Sequence, residues 1–356
     1  MSVDQVILRA TDLDGYLTQT DRSNVDLMDR HYREAIEIFR SLSGAPDAAA
    51  AASANAELID AYNRMGSLMQ DITRTEPGIR VYSFETPRTT HGEASRLIAK
   101  LRSVRTQHHE FVYYIQRAYE LLFNLAFGGS ASNSKNYLTV QTPVTDPVQN
   151  FAIHKIPDVD DEICNSVMCV MLRGALLPSM IMSKEIEEYS STGYVTPFAL
   201  FRIHRDEAAA DAQMSYVLDL QNSYFDLQDL DGKDLFFADP MNATGGSLVT
   251  VVKYLLEQGV KPRSVKCFNV IAALEGALRV VRAFENATVF TLWMDPVLNS
   301  RAYILPGLGD AGDRLNGADE SQIRRNIIQL IADYGSNIAA LYRSQVRKIE
   351  ETVLGT

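Results

Sequence analysis

The feature that most constrains the fold is a regular alternation of short apolar runs and amphipathic helical runs in the second half of the chain. The alternating segments are 164–172, 179–189, 195–203, 235–238, 247–258, 264–272, 276–285 and 289–294. This alternation predicts an α/β fold with a parallel sheet covered by helices on both faces. Ligands of such sheets bind at the carboxyl ends of the strands, so residues that follow an apolar run are the first candidates for a site.

One of these runs leads into a loop with the composition of a phosphate site. Residues 235–238 are followed by Asp239, and then Ala-Thr-Gly-Gly-Ser (243–247) opens an amphipathic helix. In a strand, glycine loop and helix N-terminus, backbone N–H groups and the helix dipole can hold a phosphate. No lysine follows the glycines and no G-x-G-x-x-G is present, which excludes the common nucleoside-triphosphate and dinucleotide loops. A single phosphate beside an acid that accepts hydrogen bonds from hydroxyls fits a phosphorylated sugar.

Two long motifs carry a family resemblance. Residues 239–247, Asp-Pro-Met-Asn-Ala-Thr-Gly-Gly-Ser, resemble the phosphoribosyl pyrophosphate (PRPP) loop of type I phosphoribosyltransferases, in the form found in the uracil phosphoribosyltransferase branch. Residues 303–314, Tyr-Ile-Leu-Pro-Gly-Leu-Gly-Asp-Ala-Gly-Asp-Arg, are similar to the uracil-binding loop of that branch. Their order and spacing make the resemblance far more specific than a glycine pattern alone.

Weaker similarities extend the match to residues 92–317. Residues 170–174 resemble the family strand whose arginine meets pyrophosphate, and 204–207 resemble the opening of its mobile hood. The chain departs from the family after Arg173, in the hood, whose counterpart is 215–219 followed by an insertion, and at 273–276. These departures leave turnover, hood closure and regulation open.

The resemblance implies a type I phosphoribosyltransferase fold, a parallel twisted sheet flanked by helices with a hood. We expect a helical N-terminal extension (1–91), a phosphoribosyltransferase domain (92–317) and a helical C-terminal extension (318–356). In the first segment, periodicity predicts helices over 25–42 and 57–72, and the alanine-rich stretch 48–56 either begins the second helix or is a mobile link. The extensions could pack together or form an oligomer interface, and a homo-oligomer, dimer or tetramer, is expected.

The resemblance also assigns roles to individual residues. The PRPP site would comprise Arg173, Arg205, Asp239, Met241, Ala243, Thr244, Gly245, Gly246 and Ser247, and the uracil site Tyr303, Ile304, Gly309, Asp310 and Ala311. Three of these are catalytic candidates. Arg173 would hold pyrophosphate together with Mg²⁺, Asp239 would hold ribose hydroxyls, and Asp310 would orient the reacting N–H or accept its proton. Asp313 and Arg314 are expected to pair with each other or to brace the loop. The histidines show no metal-ligand spacing, so no protein metal site is predicted.

Composition narrows the partners. With 34 basic and 45 acidic residues the formal net charge is −11, which argues against a general nucleic-acid or anionic-membrane surface. The three cysteines have no C-x-x-C spacing, which favours reduced thiols in the cytoplasm. No signal peptide is apparent, and no apolar run approaches the ~20 residues of a membrane span.

The resemblance implies transfer of ribose 5-phosphate from PRPP to uracil, giving UMP and pyrophosphate, as in pyrimidine salvage. One alternative is the same transfer to a related base. Another is a catalytically weak or inactive regulator that binds PRPP, uracil or UMP, and a third treats the flanking helices as an assembly module. Formation of UMP by the purified protein separates the enzyme from the others.

Overall fold

The structure, a computed structural model, describes residues 4–85, 88–128, 135–205 and 214–317, together with Ser336. Its strands are β1 Gln5–Arg9, β2 Ile79–Val81, β3 Lys135–Gln141, β4 Phe151–Pro157, β5 Ser166–Leu172, β6 Phe198–Arg205, β7 Ser215–Tyr224, β8 Asp234–Ala238, β9 Met241–Asn242, β10 Ser264–Ala273, β11 Ala287–Asp295, β12 Val297–Leu298 and β13 Ile304–Leu305. Its helices are α1 Ala10–Leu13, α2 Gln19–Ser43, α3 Ala48–Arg74, α4 Tyr82–Glu85, α5 Arg88–Arg102, α6 His108–Phe123, α7 Asp160–Ile163, α8 Leu176–Tyr189, α9 Leu227–Leu230, α10 Gly246–Glu257, α11 Leu274–Ala283 and α12 Ala311–Asn316. A π-helical turn, Asn124–Gly128, continues α6.

A nine-stranded sheet organises the described residues, in the order β1-β7-β6-β5-β8-β10-β11-β2, with β9 pairing to β10 beyond the end of β8. In this order, neighbouring strands from β6 through β5, β8, β10 and β11 to β2 are parallel to one another. Strand β7 is antiparallel to β6, and β1 is antiparallel to β7. The central strands β5 and β8 are buried along their whole length, as expected where helices cover both faces of a parallel sheet. The α/β fold predicted from the alternation is confirmed.

Right-handed connections place the helices on the two faces. The connection β5–α8–β6 runs towards one edge of the sheet, and β8–α10–β10 and β10–α11–β11 run towards the other. Right-handed crossovers therefore set α8 on one face and α10 and α11 on the opposite face. Under α6, four aromatic rings fill the core: Phe127 stacks on Phe236, and Phe268 stacks on Phe290 with 5.0 Å between centroids. Such pairs stabilise the layer beyond the apolar area that they bury.

The N-terminal segment contributes strands as well as helices. Helices α2 and α3 form, and α3 includes the whole alanine-rich stretch, so that stretch begins the helix and is not a link. The Asp47 carboxylate caps α3 by accepting a hydrogen bond from the Ala50 N–H at 2.8 Å. However, β1 and β2 form the two edges of the main sheet. The N-terminal segment is therefore helical as expected, but it also supplies two sheet strands that the sequence did not predict, since five- and three-residue strands give too little periodicity to be recognised.

Other expectations stay predictions. The domain boundaries expected from sequence, 1–91, 92–317 and 318–356, stay predictions, because β1 and β2 belong to the same sheet as the strands of the second segment. The helix expected over 318–356 lies outside the described residues, as do Asp206 and Glu207 of the hood match.

Candidate active site

A cleft of about 970 Å³ opens at the carboxyl ends of β5, β6 and β8. Most of the residues assigned from sequence line it, namely Arg173, Arg205, Asp239, Met241, Ala243, Thr244, Gly245, Gly246, Ser247, Asp310 and Ala311. Tyr303, Ile304 and Gly309 belong to the same loop as Asp310 but are not among the lining residues. The cleft thus joins the glycine loop to the end of the second motif, and its size suits a ligand of nucleotide dimensions.

The glycine loop turns β8 into helix α10. Gly245 adopts a left-handed conformation (φ 77°) and is the N-cap residue of α10. A side chain would be strained in that conformation, so glycine is required there. The first-turn N–H groups of this twelve-residue helix have no partner within the helix. Together with the helix dipole they make the loop suitable for an anion.

Asp239 lies half-buried where β8 ends. Its Oδ1 accepts a hydrogen bond from the Met241 N–H at 3.1 Å, and its backbone carbonyl accepts one from Asn269 Nδ2 at 2.8 Å. Burial raises the pKa of this carboxyl to about 6, although the Met241 N–H and the charge of Arg205 act in the opposite direction, and Asp310 raises it further. The carboxylate is therefore fixed in direction and ionised at neutral pH.

The loop is supported from behind by α11. Arg279 of α11 is 4% exposed. Its Nη1 donates a hydrogen bond to the Thr244 carbonyl at 2.6 Å, and its Nη2 donates one to Glu275 Oε1 at 2.5 Å. A Cβ on Gly276 would overlap the Ala243 carbonyl, so α11 and the loop are in direct contact. Because the peptide bond is planar and trans, the Gly245 N–H points in the direction opposite to the Thr244 carbonyl, away from Arg279.

Arg173, which follows β5, is held by the end of the second loop. Its Nη1 donates to the Gly317 carbonyl and its Nη2 donates to Asp313 Oδ1, both at 3.3 Å. Asp313 therefore contacts Arg173, not Arg314 as one of the sequence expectations had it. This ion pair joins the arginine at the end of β5 to the loop that carries Asp310.

Arg205, at the end of β6, also reaches the second loop. Its guanidinium carbon lies 5.4 Å from the centroid of the Tyr303 ring, and its Nη1 donates to the Ala302 carbonyl at 3.4 Å. A cation over an aromatic face is attracted by the ring quadrupole. Tyr303 therefore contacts Arg205, which lines the cleft.

The second loop hangs from the end of β11. The Arg102 guanidinium donates to both oxygens of Asp295, at 2.6 and 3.0 Å, and to the Gly307 carbonyl at 3.0 Å. The Gly307 N–H in turn donates to Asp295 at 2.9 Å. Asp295 is 1% exposed, and a bidentate pair at a buried position fixes geometry strongly. The turn that precedes Gly309 and Asp310 is thereby fixed to α5 and β11.

The far end of that loop is anchored separately. Asp310 caps α12 by accepting a hydrogen bond from the Asp313 N–H at 2.9 Å. Arg314 stacks on Phe111 at 4.0 Å and donates to the carbonyls of Leu101, Leu308 and Ser103. The sequence left two roles for Arg314, pairing with Asp313 or bracing the loop, and these contacts show that it braces the loop.

Sequence reasoning missed the residues that support the two loops. Arg279, Asp295 and Tyr216 had no assigned role, although all three are buried beside the motifs. For Asp295 a signal was available, since it follows an apolar run and precedes a proline, as Asp239 does. Arg279 and Tyr216 leave no such signal, because their contacts with Thr244 come from separate elements of the fold.

Among the described residues there is neither a metal-holding cluster of side chains nor a membrane-crossing helix. Within the described ranges, no group of three or more His, Cys, Asp or Glu side chains is arranged to hold a metal ion. Across the same ranges, no helix combines enough length with enough apolar surface to cross a lipid bilayer.

A mostly parallel sheet, a glycine loop before α10 and a second loop at the same cleft define the type I phosphoribosyltransferase fold. The family described as uracil phosphoribosyltransferase matches residues 88–318. The chain therefore belongs to the uracil phosphoribosyltransferase family.

Two curated proteins and one solved protein are similar to the chain over different lengths. The chain is 30% identical over 217 residues to a uracil phosphoribosyltransferase of Campylobacter concisus, which covers 60% of this chain and 89% of the relative. It is 50% identical over 93 residues to one from Kineococcus radiotolerans, or 25% of this chain and 43% of the relative. Several relatives match only over such shorter segments, so the chain spans about half of their length. A solved protein from Aquifex aeolicus is 24% identical with a TM-score of 0.47, covering 64% of this chain and 96% of that one.

Proposed function

We propose that the chain transfers ribose 5-phosphate from PRPP to uracil, giving UMP and pyrophosphate. The observation that carries this proposal is the single cleft lined both by the loop from Asp239 to Ser247 and by Asp310 and Ala311. One loop has the features of a sugar-phosphate site, and the other brings a fixed turn and an acid next to it. The names of the matching relatives supply uracil as the base.

In this reaction the bond between ribose C1 and a pyrophosphate oxygen breaks, a bond from C1 to uracil N1 forms, and N1 loses its proton. Because C1 becomes cationic, catalysis depends mainly on positioning and on stabilising charge. The N-terminus of α10 would bind the 5-phosphate. Asp239 would accept hydrogen bonds from the ribose hydroxyls and favour positive charge nearby.

Arg173 would hold the leaving pyrophosphate. Arg173 contacts Asp313 and the Gly317 carbonyl at 3.3 Å, and pyrophosphate carries more negative charge than one carboxylate. The ligand would therefore compete well for the guanidinium. Arg205 would add a second positive charge on the β6 side of the cleft.

Magnesium fits the residues of the cleft. Mg²⁺ is usually held by substrate phosphates together with one or two carboxylates, and Asp239 and Asp310 both line the cleft. The ion would neutralise pyrophosphate and so make it a better leaving group. Asp310 would orient uracil or take up the N1 proton, while backbone groups of Ile304 and Gly309, on either side of the fixed turn at Gly307, would hold the base edge.

We also infer that the protein is a homo-oligomer, as a dimer or tetramer. Strands β3 and β4 form a two-stranded ribbon that pairs with no other strand of the described chain. It exposes large apolar side chains, including Tyr137, Phe151 and Ile153, which are 59–67% exposed. Isolated two-stranded ribbons are marginally stable and large exposed apolar patches mark interfaces. Light scattering coupled to size exclusion, with Ile153→Lys as the dissociating variant, tests this.

A cytoplasmic location is inferred from the cysteines. Cys164, Cys169 and Cys267 are all free thiols, and unpaired cysteines are typical of a reducing compartment. Cell fractionation with a tagged full-length chain would contradict this inference if the protein were recovered outside the cytoplasm.

The central experiment measures UMP formation from PRPP, Mg²⁺ and radiolabelled uracil by the purified chain, with cytosine, orotate and adenine as competing bases. We expect UMP from uracil and little product from the other bases. Calorimetry with PRPP and UMP accompanies it. Tight binding of either ligand without product would refute the enzyme and support a regulator, and a preference for another base would change the substrate.

A further inference from the structure

One side chain of the hood interlocks with the glycine loop. Tyr216 on β7 is 1% exposed, and its ring fills the space beside Gly246, where a Cβ would overlap the ring. Its hydroxyl lies 2.6 Å from Thr244 Oγ1. A residue of the hood thus contacts the loop at two positions, in the space beside Gly246 and at the hydroxyl of Thr244.

The sheet fixes Tyr216 in this place. On β7 it pairs with Leu8 of β1 on one side and with Arg205 of β6 on the other. A strand paired on both sides has little freedom to move, because any shift breaks ladder hydrogen bonds on both sides. The Tyr216 hydroxyl is therefore presented to the loop by a rigid wall, part of which is the N-terminal strand.

The hydrogen bonds of Thr244 show what that contact can do. A hydroxyl has one hydrogen to donate and two lone pairs that accept. Thr244 Oγ1 accepts one hydrogen bond from the Gly246 N–H at 3.1 Å, and the Thr244 carbonyl is held on the other side by Arg279. If Tyr216 donates the second hydrogen bond, both lone pairs are occupied and the hydrogen of Thr244 is available to the cleft that Thr244 lines.

We propose that Tyr216 is a positioning residue for the phosphate of the sugar substrate: its hydroxyl donates to Thr244 and so turns the Thr244 hydroxyl into a fixed donor to that phosphate. An anion accepts hydrogen bonds only, and a donor already pointing at it binds it more strongly than a hydroxyl free to rotate. The proposal rests on the proposed function for the identity of the ligand as a ribose phosphate.

Tyr216→Phe tests the proposal, because it keeps the ring against Gly246 and removes only the hydroxyl. We expect the Kd for ribose 5-phosphate and for PRPP with Mg²⁺ to rise about five- to tenfold, with kcat nearly unchanged. The matched control is Tyr194→Phe, since the Tyr194 hydroxyl donates to the Ser166 carbonyl at 2.8 Å, at the opposite end of β5. The control is expected to leave both constants unchanged.

A double-mutant cycle separates positioning from general support. Thr244→Val should weaken binding of both ligands, and Thr244→Ser, which keeps the hydroxyl, should restore most of it. In the Thr244→Val background, Tyr216→Phe should have no further effect, because the hydroxyl that it orients is gone.

Three results would overturn the proposal. The first is unchanged affinity of Tyr216→Phe for ligands that the wild type binds. The second is an equal loss in the Thr244→Val background, which would assign the effect to another contact. If the wild type itself bound neither ribose 5-phosphate nor PRPP, the proposed function would fail first and the role of Tyr216 with it.

Discussion

The sharpest test of the site is Asp239→Asn, because the structure fixes both the direction and the charge of this carboxylate. One of its oxygens is occupied by the Met241 N–H, and the residue faces the cleft. Burial raises its pKa to about 6, so the group is ionised at pH 7.5 and becomes neutral as the pH falls through that value. Asparagine has nearly the same shape, but it is neutral and replaces one acceptor oxygen by an N–H₂ donor.

The expected loss follows from the hydrogen bonds at stake. Hydrogen bonds to a charged group contribute roughly 1.5–3 kcal/mol each, and about twice as much as neutral ones. Replacing charged acceptors for the ribose hydroxyls and removing the negative charge beside C1 should therefore cost about 3 kcal/mol, or roughly 100-fold in kcat/KM. For the wild type, kcat/KM for PRPP should fall about tenfold per pH unit below about pH 6, since only the ionised form is competent.

The measurement is the initial rate of UMP formation at subsaturating PRPP between pH 5 and 8.5. The variant should be slow at every pH and should lack the decline below about pH 6. Glu257→Gln is the control, because it neutralises an exposed carboxylate at the C-terminal end of α10, away from the glycine loop. Wild-type rates in Asp239→Asn, or the same decline at low pH in both proteins, would refute the role of the carboxylate.

Three further predictions concern positions outside the cleft. Arg102→Met removes the bidentate contact with Asp295 and should raise KM for uracil about tenfold while leaving the Kd of PRPP unchanged. Equal effects on the two constants would contradict the role of Arg102 in holding the second loop. Arg282→Met removes the ion-pair partner of both Asp21 and Glu76 and should lower the free energy of unfolding, measured in urea, by about 2–4 kcal/mol. The control Arg33→Met, which removes an exposed ion pair, should lower it by less than about 0.5 kcal/mol. Burial raises the pKa of Glu185 from 4.5 to about 7, so the free energy of unfolding of the wild type falls as the pH rises through this window. Compared with the wild type, Glu185→Gln should have a free energy of unfolding that is about 1 kcal/mol higher near pH 8 and equal near pH 4. An increase at both pH values would exclude ionisation as the cause.

The sequence predicted the parts of the molecule that are encoded locally. The glycine loop is one, because Gly245 needs a left-handed backbone and α10 begins at the next residue. The buried strands are another, because continuous apolar runs such as 166–172 fit only a sheet covered on both faces. Short edge strands could not be predicted, since β1 and β2 are defined by the neighbours that they pair with.

The supporting residues could not be predicted for the same physical reason. Thr244 depends on Tyr216, 28 positions away, and on Arg279, 35 positions away. The turn before Asp310 depends on Arg102, 193 positions from its partner Asp295. Each of these contacts depends on how whole helices and strands pack. A motif that matches the family therefore indicates which ligand the loop suits. The distant partners determine the conformation of the loop, and they cannot be read from the motif.

The same contacts bear on the segment that precedes the family match. Strand β1 fixes β7, which carries Tyr216 to the glycine loop. Asp21 of α2, which is 2% exposed, and Glu76 both pair with Arg282 of α11, and α11 also carries Arg279. The segment therefore contacts both elements that hold Thr244, one through the sheet and one through an ion pair. We infer that the folding unit includes this segment, because without it β7 would become an exposed edge and Arg282 would lose both carboxylates.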